Sequence, residues 1–387
     1  MLNQQLAPVA HSDFADLFVA LELSRSTWLV GVGAPWRRTI GRHRVEGGDL
    51  FSLLAVLSQL RREAEEHIGR TVDVHVCFEA GRDGHWLYRA LTAEGYEVFE
   101  IDPASISVNR RARRAKSDGV DVDKLVRTLA RLVRGEVDAC SVVRVPSAEE
   151  EDAKRPHREY ERLVKERTGH VNRIKGLLFA QGVRDFDPMA DDRMDRIEAL
   201  SILPKLKIEL RRECRRLAVV IEDTTAVEAE MKASILSSKS MAPRAPAAPS
   251  SVQGKIEQLV KLKSIGMHFG AVLGTELYYR SFQNRRGVGQ YLGLTPTPFQ
   301  SGDSARDQGI AKAGNPRARK AMIELSWLWL RHQPDSALSQ WFRQRVGDQK
   351  GRMRRIAIVA LARKLAVALW RYLETGLVPE GAVFKRV

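Results

Sequence analysis

The chain has 387 residues, enough for two or three domains with cores of their own, and a formal net charge of +15. The positive excess is spread along Arg-rich helical stretches, which points to nucleic acid as a partner more than to an anionic membrane surface. No apolar run is long enough to span a bilayer. Met1 to Phe14 lacks the basic-then-apolar layout of a secretory leader, and Cys77, Cys140 and Cys214 lack metal-ligand spacing. A reducing, cytoplasmic setting without a zinc site is expected.

Leu17 to Gly33 reads as two strands joined by a tight turn at Ser24 to Ser26, with Thr39 to Val45 as a third strand. Asp49 to Ile68 has leucines at helical spacing. Strand Val72 to Phe78, helix Gly84 to Glu94 and strand Tyr96 to Ile101 follow. Pro103 then opens a basic segment, Val120 to Val133 is a helix, and Ser141 to Val145 a last short strand. Strands and helices alternate after an initial meander, which predicts an α/β domain with a mixed sheet.

The basic segment holds Arg110, Arg111, Arg113, Arg114 and Lys116, and leads into Asp118 and Asp121. Two carboxylates three residues apart at a helix start share one face. They repel unless a cation lies between them, and a hard divalent ion takes such oxygen ligands. The cations beside them would hold a polyanion against that ion. The plainer reading makes Ser117 or Asp118 an N-cap and Asp121 a residue that favours the helix N-terminus. Glu22 and Glu79 each end an apolar strand. Singly each reads as a strand-end residue pointing to solvent, but together with the aspartates they shift the balance, because a buried carboxylate there is costly unless paired or metal-bound. Four acids from separate elements are thus expected at one sheet edge. Asp102, before Pro103, is either a fifth or a turn opening.

From Ala148 two long amphipathic helices, to about Gln181 and from Lys205 to Leu236, flank a polar break at Asp185 to Asp195. They predict an antiparallel coiled-coil hairpin. Ser237 to Gly254 is a linker by composition. Beyond it, Gly266 and Gly270 flank a turn between two short helices, read equally as a phosphate-binding turn or as tight helix packing. Nothing beside His268 in sequence pairs with it. Ser301-Gly302 lies on a loop among Arg306, Lys312, Arg317 and Arg319, and Asn315-Pro316 starts a helix. A serine among cations can attack a phosphodiester, or such a loop can simply bind phosphate. Ala321 to Leu377 is helical, its tryptophans read as packing. The expected boundaries are 1–147, 148–236, 237–254 and 255–387.

In this order and at these intervals the motifs resemble those of IS110-family transposases (IS110/IS1111 and IS116/IS902 type). The matching stretches are Val19 to Ser24, Phe78-Glu79-Ala80-Gly81, Asp102-Pro103 and Lys116 to Val122. In the second half they are Gly293 to Pro296, Ser301-Gly302 and Lys312-Ala313-Gly314-Asn315. The resemblance implies a RuvC-like, RNase H-type N-terminal domain, a coiled-coil middle and a mostly α C-terminal transposase domain. It implies a DEDD site for Mg²⁺ or Mn²⁺ at Glu22, Glu79, Asp118 and Asp121, and Ser301 as nucleophile. Donor and target DNA, a structured guide RNA and a homodimeric or homotetrameric assembly come with it. Glu22 stands where the family has Asp, Arg82-Asp83-Gly84 replaces the usual Thr-Gly context, and Ser117 replaces Thr. The rival readings are a junction nuclease without serine chemistry and a non-catalytic nucleic-acid-binding protein.

Overall fold

Alternation along the first strands decides the architecture of the N-terminal half. In β1 (Asp16–Leu23), Leu17, Val19 and Leu21 enter one core while Phe18 and Ala20 enter another on the opposite face. β2 (Thr27–Gly33) and β3 (Gly41–Glu46) add antiparallel strands on one side of β1. β4 (Asp73–Glu79) and β5 (Glu97–Ile101) add parallel strands on the other, in the order β3-β2-β1-β4-β5. The computed structural model describes residues 15–81, 84–106, 118–136, 138–238, 251–301 and 304–385. The chain divides into two compact units, Met1–Ser147 and Ala148–Val387.

Parallel strands need crossovers, and α1 (Leu50–Ile68) and α2 (Gly84–Ala93) supply them on one face of the sheet. Asp49 caps α1 by accepting from the Ser52 amide at 3.0 Å. α3 (Asp118–Val133) covers the other face, burying Val122, Leu125, Val126 and Leu129. It lies close because Gly31 and Gly33 present no side chain. A Cβ on Gly31 would fall 2.2 Å from Val122 Cγ1, and one on Gly33 2.6 Å from Val126 Cγ1. The expected strand at Ser141 to Val145 is a single antiparallel bridge, Ile101 with Val142.

The second unit begins with α4 (Ala148–Asp152) and α5 (Arg155–Phe179). The one long helix expected here is interrupted because Pro156 has no N–H to donate and is tolerated only in a first turn. α6 (Arg193–Ala199) starts at the end of the polar break. α7 (Pro204–Ser238) returns antiparallel to α5: Tyr160 meets Glu228, and His170 meets Glu213. Ile174, Leu178, Leu210, Cys214 and Leu217 form their shared seam. Most of the expected linker, residues 239–250, lies outside the described residues.

α8 (Val252–Lys261), α9 (Met267–Glu276), α10 (Arg285–Tyr291), α11 (Pro316–His332), α12 (Ala337–Val346) and α13 (Arg352–Thr375) make the C-terminal body. Leu273, Leu325, Trp329, Leu365 and Leu369 are at its centre. The loop expected around Ser301 is the end of a two-stranded ribbon, β6 (Pro296–Ser301) and β7 (Ser304–Ile310). Pro296 and Pro298 mask it in sequence, since proline is confined to edge strands, and both strands of a ribbon are edges.

Gly31→Ala is expected to cost about 1–3 kcal/mol by forcing α3 off the sheet. Adding Val122→Ala should restore most of the loss, as measured by urea unfolding. Equal midpoints for wild type and Gly31→Ala would refute the packing account.

Candidate active site

The C-terminal ends of β1 and β4 lie side by side, with Leu21 opposite Phe78 and Glu79 opposite Ile101 of β5. Alternation puts Glu22 on the face of Phe18 and Ala20, and Glu79 on the face of Cys77; this is the face α3 covers. α3 runs antiparallel to β1, because Val122 lies over Gly31 and Val126 over Gly33 while Gly31 pairs with Ala20. Its first turn therefore overhangs the edge where Glu22 and Glu79 stand. Positions 118 and 121 extend the sheet-facing stripe of Val122 and Leu125 by one turn, so carboxylates replace apolar groups where the sheet ends.

Glu22, Glu79 and Asp121 are each half-buried. Among the described residues no three carboxylate, imidazole or thiolate groups gather tightly enough to hold a metal ion. The Asp118 side chain is outside that set. The structure thus brings three of the four acids to one edge and one face, without closing a cage from those three alone. Asp123, on a different face of α3, is held by Arg42 of β3 at 2.8 Å. Sequence reasoning passed over Glu100 of β5, which is fully buried with one carboxylate oxygen 2.9 Å from His85 Nδ1. Its other oxygen has no hydrogen-bond partner among the described residues. A lone Glu inside Val-Phe-Glu-Ile was the available signal.

Ser301 ends β6 and pairs with Ser304 across the ribbon. The side chains of Ser301 and Arg306 lie outside the described set, as do Arg110, Arg111, Arg113, Arg114 and Lys116. The ribbon's base is closely braced. Gly293 and Gly314 both have left-handed backbones, with φ of 62° and 83°. A Cβ on Gly293 would lie 2.0 Å from the Ala313 carbonyl oxygen, and one on Gly314 2.1 Å from that of Tyr291. No other residue fits either position. Arg319 donates to the carbonyls of Leu292, Lys312 and Ala313 at 2.9–3.3 Å. Asn315 caps α11 by accepting from the Arg317 and Ala318 amides, each at 3.0 Å.

Two of the cations expected to bind nucleic acid are thus used inside the fold. Arg319 braces the ribbon, and Arg317 pairs with Glu161 and lies 3.7 Å from Glu276. Lys312 is exposed. Gly270 also serves packing: its amide donates to the Gly266 carbonyl, and a Cβ there would fall 2.6 Å from Val260. Gly266 caps α9 without a side chain and has open space around it. His268 does find a partner in space, Glu161 at 3.8 Å.

Glu276 is the centre of this region. It is 2% exposed and accepts from His157, Arg158 and Asn315. Burial pushes its carboxyl up, but these three donors outweigh burial and hold it well below the usual range. No sequence pattern announced it, because its partners lie on α5 and at the start of α11.

A mixed sheet with carboxylates at the C-terminal ends of its central strands, covered by a helix, is consistent with an RNase H-like DEDD domain. Residues 52–180 match the model of the DEDD transposase domain of IS110 elements, and residues 256–340 match the model described as Transposase IS116/IS110/IS902 family. The chain is 46% identical over 392 residues to "Putative transposase y4rJ" of Sinorhizobium fredii, covering 98% of this chain and 97% of the relative. It is 25% identical over 350 residues to "Transposase for insertion sequence element IS1111A" of Coxiella burnetii, covering 87% and 84% of the two chains. The chain belongs to the IS110/IS116 family of transposases. Its broad class is that of DNA-binding, DNA-cutting enzymes, and among the described residues no helix is long and apolar enough to cross a membrane.

The DEDD domain implies a divalent metal ion. The acidic edge fits one in donor chemistry, offering oxygen ligands from two strand ends and a helix start.

Glu276→Gln removes a carboxylate whose pKa is lowered on folding. The stability this carboxylate confers is fully present above the unfolded value near pH 4.3 and is lost as pH falls. Wild type is expected to exceed Glu276→Gln in urea midpoint at pH 7, with the gap narrowing steadily below about pH 4. A gap that does not change with pH would refute the assignment.

Proposed function

We propose that the chain is an insertion-sequence recombinase that cuts and rejoins DNA strands with a carboxylate-held cation and a serine nucleophile. Glu22, Glu79, Asp118 and Asp121 would hold Mg²⁺ or Mn²⁺. The observation that carries the reading is the common edge and face of Glu22, Glu79 and the first turn of α3. When bound, the ion supplies positive charge for the scissile phosphate and its leaving oxygen. Ser301 Oγ forms a bond to phosphorus as one P–O ester bond breaks. The serine proton passes to solvent, and the departing strand oxygen takes one up. One ester replaces another, so the strand can be rejoined without an external energy source. Arg306 and Lys312, near the same ribbon, would balance charge on the phosphoryl oxygens.

In this reading the chain works as a homodimer or homotetramer, and the serine of one copy meets the acids of another. A structured RNA from the element guides the choice of donor and target DNA. The antiparallel pair of α5 and α7 supports the assembly role as a coiled coil, and the segment between the end of α7 at Ser238 and the start of α8 at Val252 would connect it to the serine-bearing domain.

The test is to mix protein, DNA, Mg²⁺ and the element's RNA, then denature in detergent. A protein–DNA adduct is expected that disappears in Ser301→Ala and persists in Ser304→Ala. Asp118→Ala should lose cleavage while keeping DNA affinity within about threefold. Cleavage without an adduct, undiminished in Ser301→Ala, would assign the chain to metal-dependent nucleases instead. DNA affinity should also fall steeply with salt, as phosphate neutralisation releases counterions; a flat dependence would sink the reading.

A further inference from the structure

A cavity of about 1310 Å³ runs along α13, past α10, to the base of the β6–β7 ribbon, where Pro296, Gly309 and Ile310 line it. Arg352, Arg355, Arg363 and Arg371 project into it from one face of α13, at steps of three, eight and eight residues, and Arg285 and Arg286 face them from α10. Among the described residues no acidic side chain lines the cavity. None of the six guanidinium groups forms an ion pair with a described residue, unlike Arg158, Arg173 and Arg211 elsewhere in the same unit. Val359 and Val367 lie between the arginines and give the groove an apolar floor, with Ile356 half exposed at its rim. Gly289 of α10 makes room for Arg363, whose Nε would lie 3.0 Å from a Cβ there.

Six unpaired cations in one groove repel one another and destabilise the empty state. Such an arrangement suits a polyanion whose charges repeat along a line. At 1.5 Å per residue, the row from Arg352 to Arg371 is about 28 Å long. That matches about eight phosphates of one strand of a B-form duplex at 3.4 Å each.

We propose that this groove binds the backbone of the DNA strand presented to the ribbon that carries Ser301. The occupant follows from continuity: the groove ends on the base of the ribbon that carries Ser301, so a strand lying in it is brought to that ribbon. The choice of DNA rests on the recombinase reading above, while the binding of a phosphate backbone rests on the groove alone.

The full-length protein is titrated into labelled duplex DNA and, separately, into a labelled structured RNA, with fluorescence anisotropy as readout. The groove variant Arg355→Ala/Arg363→Ala/Arg371→Ala is compared with Lys175→Ala/Arg212→Ala/Arg215→Ala, which removes the same charge from exposed positions of α5 and α7. The groove variant should lose at least about tenfold in DNA affinity and flatten the slope of log affinity against log salt by two to three units. The control should lose much less. Single Arg355→Glu, at an exposed position, gives the same direction if the triple variant melts early by circular dichroism. Equal losses in the groove and control variants would overturn the proposal, as would a loss of RNA affinity with DNA affinity unchanged. Ser301→Ala should bind DNA like wild type, so failure of the serine chemistry and failure of the groove are read in separate measurements.

Discussion

The close seating of α3 on the sheet is the constraint on which the acidic edge depends. Gly31 and Gly33 on β2 leave no side chains between the helix and the strands, so Val122 and Val126 drop against the backbone. That contact fixes both the height and the direction of α3. Its first turn consequently hangs over the C-terminal ends of β1 and β4, where Glu22 and Glu79 stand. A bulkier residue at position 31 would lift the helix and carry Asp121 away from the strand-end acids. The proposed metal-binding chemistry therefore begins with two missing methyl groups on β2.

The second unit is organised around a buried charge. Glu276 draws His157 and Arg158 of α5 and Asn315 at the head of α11 onto one carboxylate. Asn315 is bound at both ends of its amide, since its oxygen caps α11 while its nitrogen serves Glu276. The ribbon that ends in Ser301 springs from the residues just before Asn315. Gly293, Gly314 and Arg319 fasten its base. A buried carboxylate in the pair of long helices repeats the device: Glu213 accepts from His170, Arg173 and Arg216.

Much of the first unit was legible because apolar alternation and helical spacing report burial directly. The turn at Ser24 to Ser26, the crossovers and the acids at strand ends all followed from local pattern. The bridge at Val142 read as a strand because its β-branched neighbours resemble one, but only one pair of residues meets β5. The ribbon was hidden by its prolines. Arg317 and Arg319 read as surface cations because sequence shows charge and not the carbonyls or carboxylates that employ it. Glu276 was missed for the same reason, as its partners are distant in the chain; Glu100 stood out only as a lone acid in an apolar strand. The arginines of α13 carried a visible signal in their helical spacing, masked by the tryptophans and leucines that drew attention to packing.

The prolines of β6 have an effect on the protein's behaviour in a crowded solution. A two-stranded ribbon has two open edges, and open edges recruit strands from other molecules. Pro296 and Pro298 remove backbone donors at alternate positions of β6, and the register shift between them breaks the ladder further. A third strand docking on β6 would meet gaps where it needs partners. The ribbon is therefore protected against sheet extension and aggregation along β6.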